Sequence, residues 1–134
     1  MTTRSLMALK LEVASAIDEI RLSFPDATVD VREDGEGGAF VTVSPVDLGA
    51  VYVQRETWIG FHITFQYPYS DVYPHFIRGD LTCTDRAPHG SGMTAGRFED
   101  RAAIQLSRRS NHLDPEIDTA VIKLWKVLTW LRNR

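Results

Sequence analysis

The sequence predicts one α+β domain spanning residues 1–134, with an N-terminal helix, a four-stranded antiparallel meander, a tyrosine-proline loop and flap, and a C-terminal helix. Three observations carry this: an apolar stripe at helical spacing near each end of the chain, period-two alternation between them, and two Tyr-Pro steps that no sheet interior accommodates. Leu6, Leu9, Val13, Ile17, Ile20 and Phe24 step by three or four residues, which places them on one face of a helix over residues 6–24. Ser5 is its expected N-cap and Pro25 its stop. Residues 28–33 alternate around Val29 and Val31, residues 39–44 around Val41 and Val43, and the glycine-rich turn between them predicts a hairpin. Val51 and Val53 suggest a short further strand.

Ile59, Phe61, Ile63 and Phe65 alternate with Gly60, His62, Thr64 and Gln66, the pattern of a strand with one buried face. Tyr67-Pro68 ends that strand, and Pro74 fixes Tyr73 in an extended or turn conformation, so residues 67–74 form a connection outside the ladder. A short strand resumes at Phe76. Residues 82–96 are rich in glycine and small polar side chains and predict an exposed loop. Ala102, Ala103, Ile104 and Leu106 make a small apolar island before a polar, basic run at residues 107–112. Asp114-Pro115-Glu116 then supplies an N-cap, a first-turn proline and a first-turn acid for the last helix, whose stripe is Ile117, Val121, Leu124, Leu128 and Leu131. Trp125 and Trp130 fall beside that stripe, at a core edge or a contact surface.

At 134 residues the chain has length for one core, and no apolar run approaches the roughly 18 residues of a membrane span. Charges at Lys10 and Glu12 interrupt what would be the apolar stretch of a signal peptide, and the single cysteine, Cys83, cannot form an internal disulfide. Both point to the cytoplasm. The net charge of −3 gives no overall attraction to nucleic acid. His62, His75, His89 and His112, with Cys83 and Asp85, lack the close pairing of a structural metal site, so neither a metal nor a cofactor is expected.

In this order, the helix, the meander, Tyr67-Pro68, Tyr73-Pro74, and His89 sixteen residues past Tyr73 resemble the landmarks of the ubiquitin-conjugating enzyme (UBC-like) fold, in a compact form similar to bacterial relatives. The family carries an apolar-Cys-Leu triplet about ten residues before a helix-opening proline. Here Ile104-Gln105-Leu106 stands ten residues before Pro115, so Gln105 occupies the matched position and a glutamine amide cannot carry a thioester. His89-Gly90-Ser91 replaces His-Pro-Asn, and the segment from His89 to Gln105 exceeds the family norm.

The resemblance implies a catalytically inactive variant. Such a protein acts as a non-covalent partner of a ubiquitin-like modifier, its activating enzyme or an active conjugating enzyme, in bacterial pathways associated with antiviral defence. It implies docking surfaces on the first helix and on the loop over residues 68–74, with Leu6, Lys10, Tyr69 and Asp71 as candidate contacts; Arg108 and Arg109, beside Arg101 in the basic cluster, are candidates for an acidic partner face. Two alternatives stand beside it. One is an active conjugating enzyme with a displaced nucleophile, Cys83 near His89 or else Ser107. The other is a protein-binding adaptor unrelated to ubiquitin.

Overall fold

The computed structural model describes residues 9–134. The first helix among the described residues, α1 (Leu11–Ser23), buries Val13, Ile17 and Ile20 of the stripe predicted by the three-to-four spacing, together with Ala16. It starts later than expected. Leu9 is not helical: it bridges Gly37 in parallel, and the extended Lys10 donates its backbone N–H to the Gly37 carbonyl at 2.8 Å. Ser5 and Leu6 lie outside the described residues.

Among the described residues the sheet has six antiparallel strands rather than the expected four, in the order β1 (Thr28–Glu33), β2 (Ala39–Asp47), β3 (Glu56–Ile63), β4 (His75–Arg78), β6 (Arg101–Leu106), β5 (Met93–Phe98). Strands β1 to β3 follow the predicted meander without the short strand expected at Val51 and Val53, and β4 is the short strand expected at Phe76. The additional pair is a hairpin that turns at Glu99 and Asp100, both at positive φ (47° and 69°), and lays β6 against β4. The apolar island is therefore a strand, and the end of the expected loop is its edge partner. Among the described residues strand β5 has no neighbour on its outer side, so Thr94, Ala95 and Arg97 stay exposed, and the alternation that would mark it as a strand is lost. Around the second turn, Val51 and Tyr52 add only an isolated bridge, from Tyr52 to Cys83, and Val53 is exposed.

One sheet face carries Val41, Val43, Ile59, Phe61, Ile63, Ile77 and Leu106 against α1 and the last helix, α2 (Ala120–Arg132), which contributes Leu124, Val127, Leu128 and Leu131. Strand β3 stops at Ile63, so Phe65, expected on this face, is 52% exposed. The other face is closed by its own hairpin. Phe98 lies over Gly60, where any Cβ would strike its ring, and packs against Phe40, Trp58 and Phe76 at centroid distances of 6.2, 6.0 and 5.3 Å. Arg101 stacks on Trp58 and Arg32 on Phe40, and Arg32 pairs with Glu99 from the hairpin turn.

Helix α2 begins at Ala120, after the expected Asp114-Pro115-Glu116. Those residues instead form a separate turn, in which Asp118 donates its N–H to the Asp114 carbonyl at 2.7 Å, and Thr119 Oγ1 caps the helix by accepting from Ile122. Ile117 is consequently off the helix and exposed. Two phenols hold the ends of α2. Tyr67 accepts from the Ala120 N–H at 2.9 Å, and Tyr52 donates to the Leu131 carbonyl at 2.9 Å. The Tyr67–Pro68 and Tyr73–Pro74 bonds are cis.

His75, on the core face of β4 beside Phe61, is fully buried, and among the described residues neither ring nitrogen has a hydrogen-bond partner. Burial first, and the Lys123 cation second, push its pKa down from 6.5 to about 3, so it is neutral in the folded chain. A group whose pKa is depressed by folding stabilises the fold above its unfolded value and loses that contribution as pH falls. Folding stability should therefore decline from about pH 6.5 toward pH 3 by up to about 1.4 kcal/mol per unit from this residue. His75→Leu should raise stability near neutral pH by about 1–3 kcal/mol and flatten that acid slope, as read by denaturant unfolding at several pH values. A destabilised variant with an unchanged slope would contradict the orphaned-imidazole account.

Candidate functional site

A cleft of about 800 Å³ opens between the segment joining β2 to β3, the segment joining β4 to β5, and the C-terminal end of α2. Backbone bonds set its walls: Val53 N–H to the Thr82 carbonyl at 2.7 Å and Thr84 N–H to the Val51 carbonyl at 3.0 Å hold the first two segments together around the Tyr52–Cys83 bridge. A tight turn follows Cys83. Arg86, at φ 61°, donates to the Cys83 carbonyl, and the Asp85 carboxylate accepts from the Ala87 N–H, so the chain doubles back and brings His89 to Cys83.

His89 Nε2 lies 2.8 Å from the Leu81 carbonyl, and Nδ1 lies 3.7 Å from Cys83 Sγ. A carbonyl only accepts, so Nε2 carries the proton and the neutral ring offers Nδ1 as an acceptor to the thiol. Both side chains are half-buried. Tyr52, Met93, Trp130, Asn133 and Arg134 complete the cleft. The Arg134 guanidinium lies against Gly90, where a Cβ would strike Nη2, and stacks 4.6 Å from the Trp130 ring centroid. Burial, with a smaller push from Cys83, raises the Tyr52 phenol to about 12, which keeps it a hydrogen-bond donor.

Gln105, matched by resemblance to the conjugating cysteine, lies within β6, paired with Phe76 on one side and Thr94 on the other. Its amide donates to Ser107 Oγ at 3.4 Å, and the Ser107 N–H is held by the Gly92 carbonyl at 2.8 Å. Neither residue lines the Cys83 cleft. The structure thus pairs Cys83 with His89 and Gln105 with Ser107, as two separate groups. Proximity in sequence alone showed the first pair; the carbonyl that fixes the imidazole tautomer had no signal in the chain.

The remaining candidates divide. Asp71 is taken up internally, accepting from Lys123 Nζ at 2.8 Å and from the Ser110 N–H and hydroxyl at 2.6 and 2.9 Å. Burial pushes its carboxyl up, but the Lys123 and Ser110 bonds outweigh that and hold it below its ordinary value. Tyr69 is 75% exposed, beside Phe65 and Lys10 in a shallow hollow; Lys10 Nζ donates to the carbonyls of Phe65 and Tyr67, both at 3.0 Å. Arg109 stacks on Tyr73 and Arg108 on Trp130, at the rim of a hollow of about 300 Å³ with Ser110, Asn111 and Lys126. Arg101 is not part of this group, being held over Trp58 on the outer sheet face. Among the described residues, no three of His, Cys, Asp and Glu come together in the manner of a metal site, and no helix is long and apolar enough to cross a membrane.

Comparison with known proteins yields no matching family model, no similar curated protein and no similar solved structure.

The Asp71–Lys123 pair yields a test of its own. Lys123→Met should cost about 3–5 kcal/mol, because it strands a largely buried carboxylate, whereas Asp71→Leu combined with Lys123→Met should return close to the parent stability. A chemical-denaturation double-mutant cycle reads the difference. A single variant that loses less than about 1 kcal/mol would show the pair to be solvated.

Proposed function

We propose that this chain is a UBC-like domain that works as a non-covalent partner in a ubiquitin-like conjugation pathway in the bacterial cytoplasm, docking a modifier, its activating enzyme or an active conjugating enzyme. The observation that carries this reading is the surface at the start of α1. Lys10 ties the first residues of that region to the loop after β3 through two carbonyls, and the result is an adjoining exposed Phe65 and Tyr69, with Leu11 also exposed at the start of the helix. The resemblance places partner docking on the first helix and on the loop over residues 68–74, which contribute Leu11 and Tyr69 here, with Phe65 adjoining them. Large exposed aromatics held on a fixed backbone are the side chains from which binding hot spots are made.

Gln105 supports the non-covalent part. An amide within a strand, bonded to Ser107, has no nucleophile with which to accept an acyl group. The apolar exposure around Lys10 also agrees with a protein partner better than with a nucleic acid, whose backbone charge favours clustered cations interleaved with aromatics.

The reading is tested by sizing chromatography and calorimetry with the activating enzyme, conjugating enzyme and modifier from the source of this chain. At least one should co-elute with the unmodified protein, and Phe65→Ala combined with Tyr69→Ala should weaken that complex by about 30-fold while leaving the melting temperature within a few degrees. Equal binding by the double variant, or co-elution of none of the three, would sink the proposal.

A further inference from the structure

We infer that Cys83 and His89 form a second, separate functional centre: a base-activated thiol that attacks activated acyl groups, such as aryl esters and thioesters, presented in the cleft at the C-terminal end of α2. The inference goes beyond the docking reading and does not depend on it, since the residues concerned are different.

Three features of the geometry converge. The imidazole is fixed by its Nε2–Leu81 carbonyl bond, which leaves Nδ1 as the only basic nitrogen and points it at the thiol. This is the nucleophile-base-orienter relation of covalent catalysis, with a backbone carbonyl in the orienting place. The separation of 3.7 Å from Sγ to Nδ1 suits a sulfur donor, whose hydrogen bonds run longer than those of oxygen. The pair is also accessible: Cys83 is half-buried on the wall of the cleft rather than sealed in the core, so an acyl group can reach Sγ. A cysteine serving only as packing would need neither the cleft nor the imidazole.

The groups around the pair shape the chemistry. Asp85 and Arg86 stand in the turn between the two residues, Tyr52 is bridged to Cys83 with its hydroxyl bonded to the Leu131 carbonyl, and Arg134 lines the cleft from just past α2. Arg134 brings a cation to the cavity in which a carbonyl oxygen would develop negative charge. Sγ attacks the carbonyl carbon as its proton passes to His89 Nδ1, and the tetrahedral adduct collapses by breaking the bond to the phenolate or thiolate leaving group, which takes the proton from the imidazolium. The acyl group is then a thioester on Cys83. Water attacks it with its proton going to Nδ1, the carboxylic acid departs, and the thiol recovers its proton.

The test uses p-nitrophenyl acetate as the probe and the full chain as the enzyme. Expected are a burst of one nitrophenolate per chain, one acetyl group on Cys83 by peptide mass mapping, and a rate at neutral pH at least about 10-fold above that of N-acetylcysteine. His89→Gln retains an amide donor for the Leu81 carbonyl but removes the base. It should lower the burst rate by about 10- to 100-fold, with rescue by added imidazole. Cys83→Ala should abolish the acetylated peptide. Circular dichroism and melting establish that the variants are folded, and the comparison with N-acetylcysteine needs no variant at all. A wild-type thiol no faster than N-acetylcysteine, acetylation confined to lysines, or a His89→Gln protein with the parent's rate and no response to added imidazole would each overturn the inference.

Discussion

The structure depends most on the way two tyrosines hold the last helix. Helix α2 presents a free N–H at Ala120 and a free carbonyl at Leu131, and a buried phenol meets each: Tyr67 from the loop after β3, Tyr52 from the segment before it. Helix ends buried without partners are unfavourable, since each orphaned group loses its bond to water. Because both phenols come from segments flanking β3, the position of α2 is referred directly to the centre of the sheet. The same two contacts place the end of α2 beside Cys83 and its beginning beside Asp71, so the cleft and the buried ion pair are consequences of one arrangement.

The sheet closes its two faces differently. On one face, helices α1 and α2 cover aliphatic side chains in the ordinary way. On the other, the β5–β6 hairpin folds back and sets Phe98 on Gly60, with Phe40, Trp58 and Phe76 around it and arginines stacked over the outermost rings. An aromatic face sealed this way needs no third helix. It also commits β6, and with it Gln105, to the interior of the sheet, which removes that position from any role requiring a mobile loop.

The surface differs by region. The start of α1 with the loop after β3 exposes aromatic side chains on a fixed backbone. The far end of α2 brings a thiol and an imidazole together in a cleft. Between them His75 sits in the core as a neutral ring without a partner among the described residues, and the Asp71–Lys123–Ser110 network ties the loop after β6 to the helix. Each of these buried groups gives stability a dependence on pH that the two surface regions do not need.

By itself the sequence determined the α+β class, the stripes of α1 and α2, and the first four strands in order, because burial of one face leaves a period of 3.6 or 2 in the chain wherever a segment has a polar and an apolar side. It also showed that Gln105 bears no nucleophile and that Cys83 lies close to His89. What only the tertiary structure decided was whatever depends on a distant partner. The β5–β6 hairpin was hidden because an edge strand leaves no alternation; the late start of α2 followed from Tyr67 reaching Ala120 and from Thr119 as the cap; Leu9 became a bridge because Gly37 was there to meet it. The orientation of the His89 ring belongs to the same class, since it is set by a carbonyl at Leu81 that the loop brings near only by folding back, and periodicity carries no record of such a contact.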